Sequence, residues 1–309
     1  MFTGLSAFPL TPLRDDTVDL KAFEGLVGRL DAAGVDSITA LGSTGSYLYL
    51  DRDERRLVAR AAVASAGATP VMVGIGALRT SQVQRLADDA QEAGAAAVLL
   101  APVSYQALTD DDVLGLYTDV TAGLSVPLVV YDNPGTTRFT FTDDLYARIA
   151  ALPNVASIKI PPVPADPAEA AAHVQRIRAL LPEHVTIGVS GDSAAATGLG
   201  AGCDAWYSVI GGLLPEPALA ITRGALADDA AGDAAGRETA AAASARLEPL
   251  WQLFREHGSL RVTAALAEHL GLVTGPSLPL PLRGLDAAAR ARVAAFAETL
   301  GADSQTATA

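Results

Sequence analysis

Lys159 lies between Ile158 and Ile160 in a short apolar run, in a chain whose 22 basic residues include only two lysines, Lys21 and Lys159. A coding bias toward arginine accounts for the shortage of lysine but not for the position of this one. Arginine cannot replace lysine in one kind of chemistry: guanidinium stays protonated, whereas a buried amine is driven toward neutrality and becomes a nucleophile that can form an imine with a carbonyl. Alternation along an extended segment places Lys159 on the same face as Ser157 and Val155. Lys21, beside Asp19 at the start of a helical stretch, reads as a solvated charge. A second candidate is Gly42-Ser43-Thr44-Gly45-Ser46, whose hydroxyls and glycine-freed N–H groups can nest a carboxylate. Taken alone it is equally well an ordinary turn. A third is Tyr131 in Val130-Tyr131-Asp132-Asn133-Pro134, a phenol at the end of another apolar run, where packing explains a tyrosine as readily as catalysis does.

Other chemistries find no support. His173, His184, His257 and His269 have no metal-ligand spacing with one another or with Cys203, so no metal is expected. The Gly42–Gly45 run lacks the lysine of a P-loop. The glycines at 198, 200 and 202 precede an apolar run instead of following one, so no nucleotide cofactor is expected either. No Gly-x-Ser-x-Gly nucleophile elbow occurs. A net charge of -13 disfavours nucleic acid and anionic membranes as partners. No run approaches the ~18 apolar residues of a membrane span. A lone cysteine and a start without a basic, apolar leader point to a soluble cytoplasmic protein.

The candidate residues need a scaffold, and the sequence describes one. With 50% hydrophobic and 18% charged residues over 309 positions, the chain can bury a large core. Eight short β-rich runs recur at residues 5–10, 37–41, 71–75, 97–101, 128–131, 155–160, 185–189 and 205–210. Between them lie helix-like segments such as 20–33, 52–66, 81–93, 111–122 and 168–180, many opening on Asp, Ser or Thr and closing near glycine. Eight alternations of apolar strand and helix predict an α/β fold, a (β/α)8 TIM barrel, with a doubly wound open sheet as the runner-up. From Pro215 the strand signal stops. Helical stretches at 216–226, 230–256, 260–270 and 286–300 follow, with a proline-rich ordered loop over 274–281 and a frayed tail over 301–309. The expected division is a barrel over residues 1–214 and C-terminal helices over 215–309 that complete and flank it. In such a barrel functional groups sit at the C-terminal ends of strands, where Ser43, Thr44, Tyr131 and Lys159 all fall.

Gly42-Ser-Thr-Gly45 after the second strand, Tyr131-x-x-Pro134 after the fifth and Ile158-Lys159 in the sixth together resemble the dihydrodipicolinate synthase / N-acetylneuraminate lyase family of pyruvate-dependent class I aldolases. The likeness covers nearly the whole chain. It implies a Schiff base between Lys159 and pyruvate or another 2-oxo acid, with no metal or nucleotide. It implies that Ser43, Thr44 and Gly45 hold the carboxylate and that Tyr131 moves protons. It further implies that Tyr105 from a neighbouring subunit completes a relay through the Thr44 hydroxyl, so that a homodimer is the minimal active unit and a homotetramer is common.

Several positions depart from the family pattern. Ser46 replaces a usual glutamate. Thr136 stands where synthases carry the arginine that binds aspartate semialdehyde, the nearest arginine being Arg138. Ser193 and Ala194 replace the acidic pair of sialic acid lyases, and Tyr207 borders the pyruvate site where a small aliphatic residue is usual. The leading expectation is therefore a Schiff-base lyase that joins or cleaves a 2-oxo acid and an aldehyde, or cleaves or dehydrates a 2-keto-3-deoxy acid. The alternatives are 4-hydroxy-tetrahydrodipicolinate synthase itself and a non-catalytic 2-oxo acid binding protein.

Overall fold

The computed structural model describes residues 1–227 and 234–306. Eight parallel strands, Gly4–Ala7, Ser37–Ala40, Val71–Gly74, Ala97–Leu100, Leu128–Tyr131, Val155–Ile160, Thr186–Val189 and Ala205–Ser208, pair in sequence order. The first strand pairs with both the second and the eighth, which closes the barrel and excludes the open sheet. Each strand lies within a few residues of its expected run.

The helices between strands begin where their first turns are capped. Asp51 and Glu54 form a reciprocal capping box that starts Arg52–Ser65, Thr109 and Asp112 do the same for Asp110–Thr121, and Asp166 accepts two backbone N–H groups ahead of Pro167–Arg178. Such caps satisfy backbone donors that a helix start leaves unpaired. The helices bury Val, Leu, Ile and Ala against the outer faces of the strands and form the larger core. Inside the barrel a smaller cluster contains Phe8, Met72, Leu99, Val129, Tyr131 and Tyr207. Polar pairs share that interior: Ser6 Oγ meets Thr39 Oγ1 at 2.8 Å, and Ser157 Oγ meets the Tyr207 hydroxyl at 2.8 Å. Buried hydroxyls paired in this way avoid the cost of an unmet hydrogen bond.

Helix Pro215–Ala225 follows the eighth strand and packs beside helix Leu20–Ala33, with Arg223 paired to Asp36. The single helix expected over 230–256 is two, Ala234–Arg246 and Glu248–His257; residues 230–233 lie outside the described residues. Pro249 has no N–H to continue the ladder and crowds the preceding turn, while the Trp251 indole caps the break by donating to the Ser244 carbonyl and hydroxyl. The tail is also corrected. The last helix, Ala287–Thr306, passes the expected end at 300 and runs through Gly301, whose cost of about 1 kcal/mol relative to alanine is offset by the strong helix formers around it, Ala294, Ala295, Ala297, Glu298 and Ala302. Residues 307–309 lie outside the described residues. No helix of the described residues is long and apolar enough to cross a membrane.

Candidate active site

Lys159 is held on the barrel interior by a break in the sheet register. Leu128 pairs with Val155, but Val129 pairs with Ser157, so Ala156 is an extra residue on the sixth strand. The expected common face of Val155, Ser157 and Lys159 is therefore corrected. Val155 turns outward into the helix-facing core, and only Ser157 and Lys159 point inward. Lys159 is 4% exposed, its Nζ lying 4.2 Å from the centroid of the Tyr131 ring and 5.9 Å from that of Phe8. Burial lowers its pKa from the ordinary lysine value, against the opposing fields of Tyr131, Asp192 and Asp132. The two carboxylates are engaged elsewhere. Asp192 accepts from the backbone N–H groups of Ile210 and Val209, at 2.6 and 3.1 Å, and from the Trp206 indole at 3.2 Å; Asp132 accepts from the Tyr146 hydroxyl.

Tyr131 pairs in register with Lys159, so its phenol stands beside the amine. The Tyr131 oxygen lies 3.2 Å from Ser43 Oγ and accepts from Asn133 Nδ2 at 2.9 Å. Burial opposes ionisation of this phenol, yet the Lys159 charge and the hydrogen bonds from Ser43 and Asn133 outweigh burial and bring its pKa below the usual tyrosine value. The hydroxyl that reaches Tyr131 is thus that of Ser43, not Thr44. Thr44 also lines the cavity, whereas Gly45 sits behind the loop, packed toward Leu41 and Thr11. The loop is anchored by strain. Leu41 is buried with φ of 57°, in the left-handed region, which costs a side-chain-bearing residue about 1–2 kcal/mol. Gly74 makes room for it, since a Cβ there would stand 1.9 Å from the Leu41 carbonyl oxygen. Beneath the same loop, Arg55 is buried and donates to the carbonyls of Gly74 and Gly76, with its guanidinium 5.2 Å from the centroid of the Tyr47 ring.

These groups open into a cavity of about 680 Å³. Ser43, Thr44, Tyr131, Lys159 and Tyr207 line its inner part, and Trp251, Phe254, Arg255 and Ser259 from the C-terminal helices form an outer wall. Tyr207 belongs to the floor: it is 2% exposed and hydrogen-bonded to Ser157, and its ring occupies the space above Gly188, where a Cβ would lie 2.1 Å from Cε2. Tyr105 stands outside the cavity and is 91% exposed. Among the described residues no group of three or more His, Cys, Asp and Glu side chains is placed to hold a metal ion. The arrangement brings together a buried amine, a phenol within reach of it and hydroxyls suited to a small carboxylate.

The model of the dihydrodipicolinate synthetase family matches residues 1–300. The chain belongs to this family. It is 31% identical over 303 residues to a 4-hydroxy-tetrahydrodipicolinate synthase of Halorhodospira halophila, covering 95% of each chain. It is 32% identical over 292 residues to that of Methylococcus capsulatus, covering 93% of this chain and 94% of the relative. Among solved structures it is similar to a dihydrodipicolinate synthase from Agrobacterium tumefaciens, with 46% identity, a TM-score of 0.91, and coverage of 97% of this chain and 98% of that one. Members of the dihydrodipicolinate synthetase family are lysine Schiff-base lyases of the class I aldolase type, which is the enzyme class expected from the motifs.

Thr136 lines the cavity, but Arg138 does not; Arg138 caps the short helix Pro134–Thr137 with φ of 58° and is exposed. Sequence reasoning passed over Phe8, Asn133 and Arg55, and gave no role to Asp192. An arginine at position 55 shows no pattern by which to separate it from the other nineteen. The outer wall, 90 residues beyond Lys159 in sequence, has no local signal either.

Proposed function

We propose that the protein is a Schiff-base aldolase acting on pyruvate or a related 2-oxo acid and an aldehyde, in the direction of condensation or cleavage, with Lys159 as the nucleophile. The Lys159 amine adds to the C2 carbonyl and water leaves, giving an iminium. Loss of a C3 proton from the iminium gives an enamine, whose C3 bonds to the aldehyde carbon, and water then hydrolyses the imine to free the product. Tyr131 is the general acid–base for these transfers, and its contact with Ser43 makes Ser43 the group through which its proton passes. Thr44 and the N–H groups of the 42–46 loop hold the 2-oxo acid carboxylate. Tyr207 seals the floor below. The reaction uses no metal or nucleotide, since the iminium is itself the electron sink.

The barrel, residues 1–214, supplies the reacting groups, and Trp251, Phe254, Arg255 and Ser259 of the C-terminal region, residues 215–309, supply the outer wall. Leu48, Tyr49, Leu78 and Tyr105 are large, exposed and carried on successive loops of one barrel end, which supports a homodimer or homotetramer in which Tyr105 reaches a neighbouring subunit. The cytoplasm, where 2-oxo acids are abundant, is the fitting compartment. The observation that carries this reading is the buried Lys159 amine stacked on Tyr131. Pyruvate with borohydride should attach a reduced adduct to the Lys159 peptide and leave Lys21 unmodified. Absence of the adduct, or full activity in Lys159→Arg, overturns it.

A further inference from the structure

We infer that Arg255 reads a carboxylate at the far end of the substrate, so that the C-terminal helices set which aldehyde the enzyme accepts. The inference rests on the aldolase reading above. Three ionisable side chains of ordinary charge at neutral pH line the cavity among the described residues: Lys159, Asp192 and Arg255. Lys159 is the imine-forming group and Asp192 is held by three donors. Arg255 remains. It lies on helix Glu248–His257, one turn after Trp251, and lines the same cavity as the amine.

Its donors are only partly used. Arg255 Nη2 pairs with Glu248 on the same helix, both side chains being more than half exposed, and such a pair contributes little. Among the described residues its Nε and Nη1 have no hydrogen-bond partner. Nη2 carries two N–H groups and Glu248 takes one of them, so the other, beside Nη1 or Nε, leaves one edge of the planar guanidinium to match the two oxygens of a carboxylate. A phosphate dianion would ask for a second cation that the cavity lining does not supply. The cavity, about 680 Å³, is also far larger than a three-carbon acid fills, which leaves room between Lys159 and the outer wall for a chain of several carbons. On the barrel loop after the fifth strand, Thr136 brings only a hydroxyl to the cavity and Arg138 does not line it, so the cation of the outer site comes from the helical extension.

Condensation of pyruvate with succinic semialdehyde, which ends in a carboxylate, is compared with condensation with butanal, which does not, in the wild-type protein and in Arg255→Gln. The variant should raise KM for succinic semialdehyde roughly 10- to 100-fold, the size of a lost charge-assisted hydrogen bond, with butanal kinetics and pyruvate–borohydride labelling of Lys159 unmoved. Equal losses with both aldehydes, or none, overturn the inference. Binding is measured separately through tryptophan fluorescence, since Trp251 lines the wall: the wild type should prefer glutarate to butyrate, and Arg255→Gln should lose that preference. An unchanged preference overturns the role of Arg255. Failure of borohydride labelling in the wild type falls on the aldolase reading alone, and the glutarate titration still decides Arg255.

Discussion

Gly188→Ala isolates the packing that places Tyr207 beneath Lys159. Gly188 pairs in register with Lys159, and a Cβ built at Gly188 stands 2.1 Å from Tyr207 Cε2 and 2.6 Å from Cδ2. Ordinary carbon contacts begin near ~3.5 Å, so the ring must retreat by more than an ångström. It has little space to do so, being 2% exposed and held at 6.1 Å edge-to-face against Phe8. Retreat also stretches the 2.8 Å hydrogen bond to Ser157. Overpacking costs about 1–3 kcal/mol and loss of one buried hydrogen bond about 1 kcal/mol, so the substitution should destabilise the fold by ~2–4 kcal/mol. Urea unfolding followed by circular dichroism reads this as a lower midpoint at unchanged slope. The double variant Gly188→Ala with Tyr207→Leu removes the clashing ring atoms and should recover at least half of the loss, a coupling expected only of residues in contact. The pyruvate–borohydride labelling rate of Lys159 should fall in the single variant and recover with it. A cost below ~0.5 kcal/mol for Gly188→Ala, or no recovery in the double variant, would refute the idea that this glycine exists to seat the tyrosine.

Tyr131→Phe should lower turnover by roughly 10²–10⁴ while leaving pyruvate affinity within a few-fold, and Ser43→Ala should lower turnover more than Thr44→Val does. Steady-state kinetics check both, and equal losses in kcat and affinity would recast Tyr131 as a binding residue. A second expectation concerns acid. Burial pushes the Asp192 carboxyl up from 3.8 to about 6, against the pull of the Ile210 and Val209 N–H groups. A carboxyl whose folded pKa is raised favours the folded state most when protonated, so its contribution is full below the unfolded pKa and is lost as pH rises through about 6. At about 1.4 kcal/mol per pH unit over the steep part of this window, the stability of the wild type relative to Asp192→Asn should fall by ~2 kcal/mol between pH 4 and pH 6. Denaturant titrations across that window check it, and a difference that stays flat or widens contradicts it.

The parts of the structure legible in the sequence are those governed by local rules. Apolar runs separated by capped, glycine-ended helices gave eight strands in the right places, because strand burial on both faces and helix capping leave marks within a few residues. Lys159 was legible for a different reason: an amine between two isoleucines breaks the local pattern. The bulge at Ala156 was not, since an extra residue in a strand is visible only against its partner, and it alone decides that Val155 turns outward while Ser157 and Lys159 turn in. Which hydroxyl of the 42–46 loop meets Tyr131 was not legible either: it is that of Ser43. The loop that carries Ser43 and Thr44 follows a left-handed residue, Leu41, which no side-chain pattern announces.

The two carboxylates around Lys159 show how an acidic barrel keeps an amine nucleophilic. A lysine buried beside a free carboxylate becomes an ion pair, its charged form is stabilised and its nucleophilicity is lost. Asp192 and Asp132 both act on Lys159 through their fields, and both have other partners: three N–H donors for Asp192, and the Tyr146 hydroxyl on Oδ2 alone for Asp132, whose buried Oδ1 has no hydrogen-bond partner among the described residues. Each carboxyl is itself pushed up to about 6 by burial, so both are still largely ionised at neutral pH and lose their charge only as the pH falls through that value. What remains next to the amine is the phenol of Tyr131, which can take a proton from the amine and return it without forming a permanent ion pair. Tying off the carboxylates therefore matters as much as burying the lysine. Freeing one of them, rather than exposing the amine, is the shorter route to an inert enzyme with an intact fold.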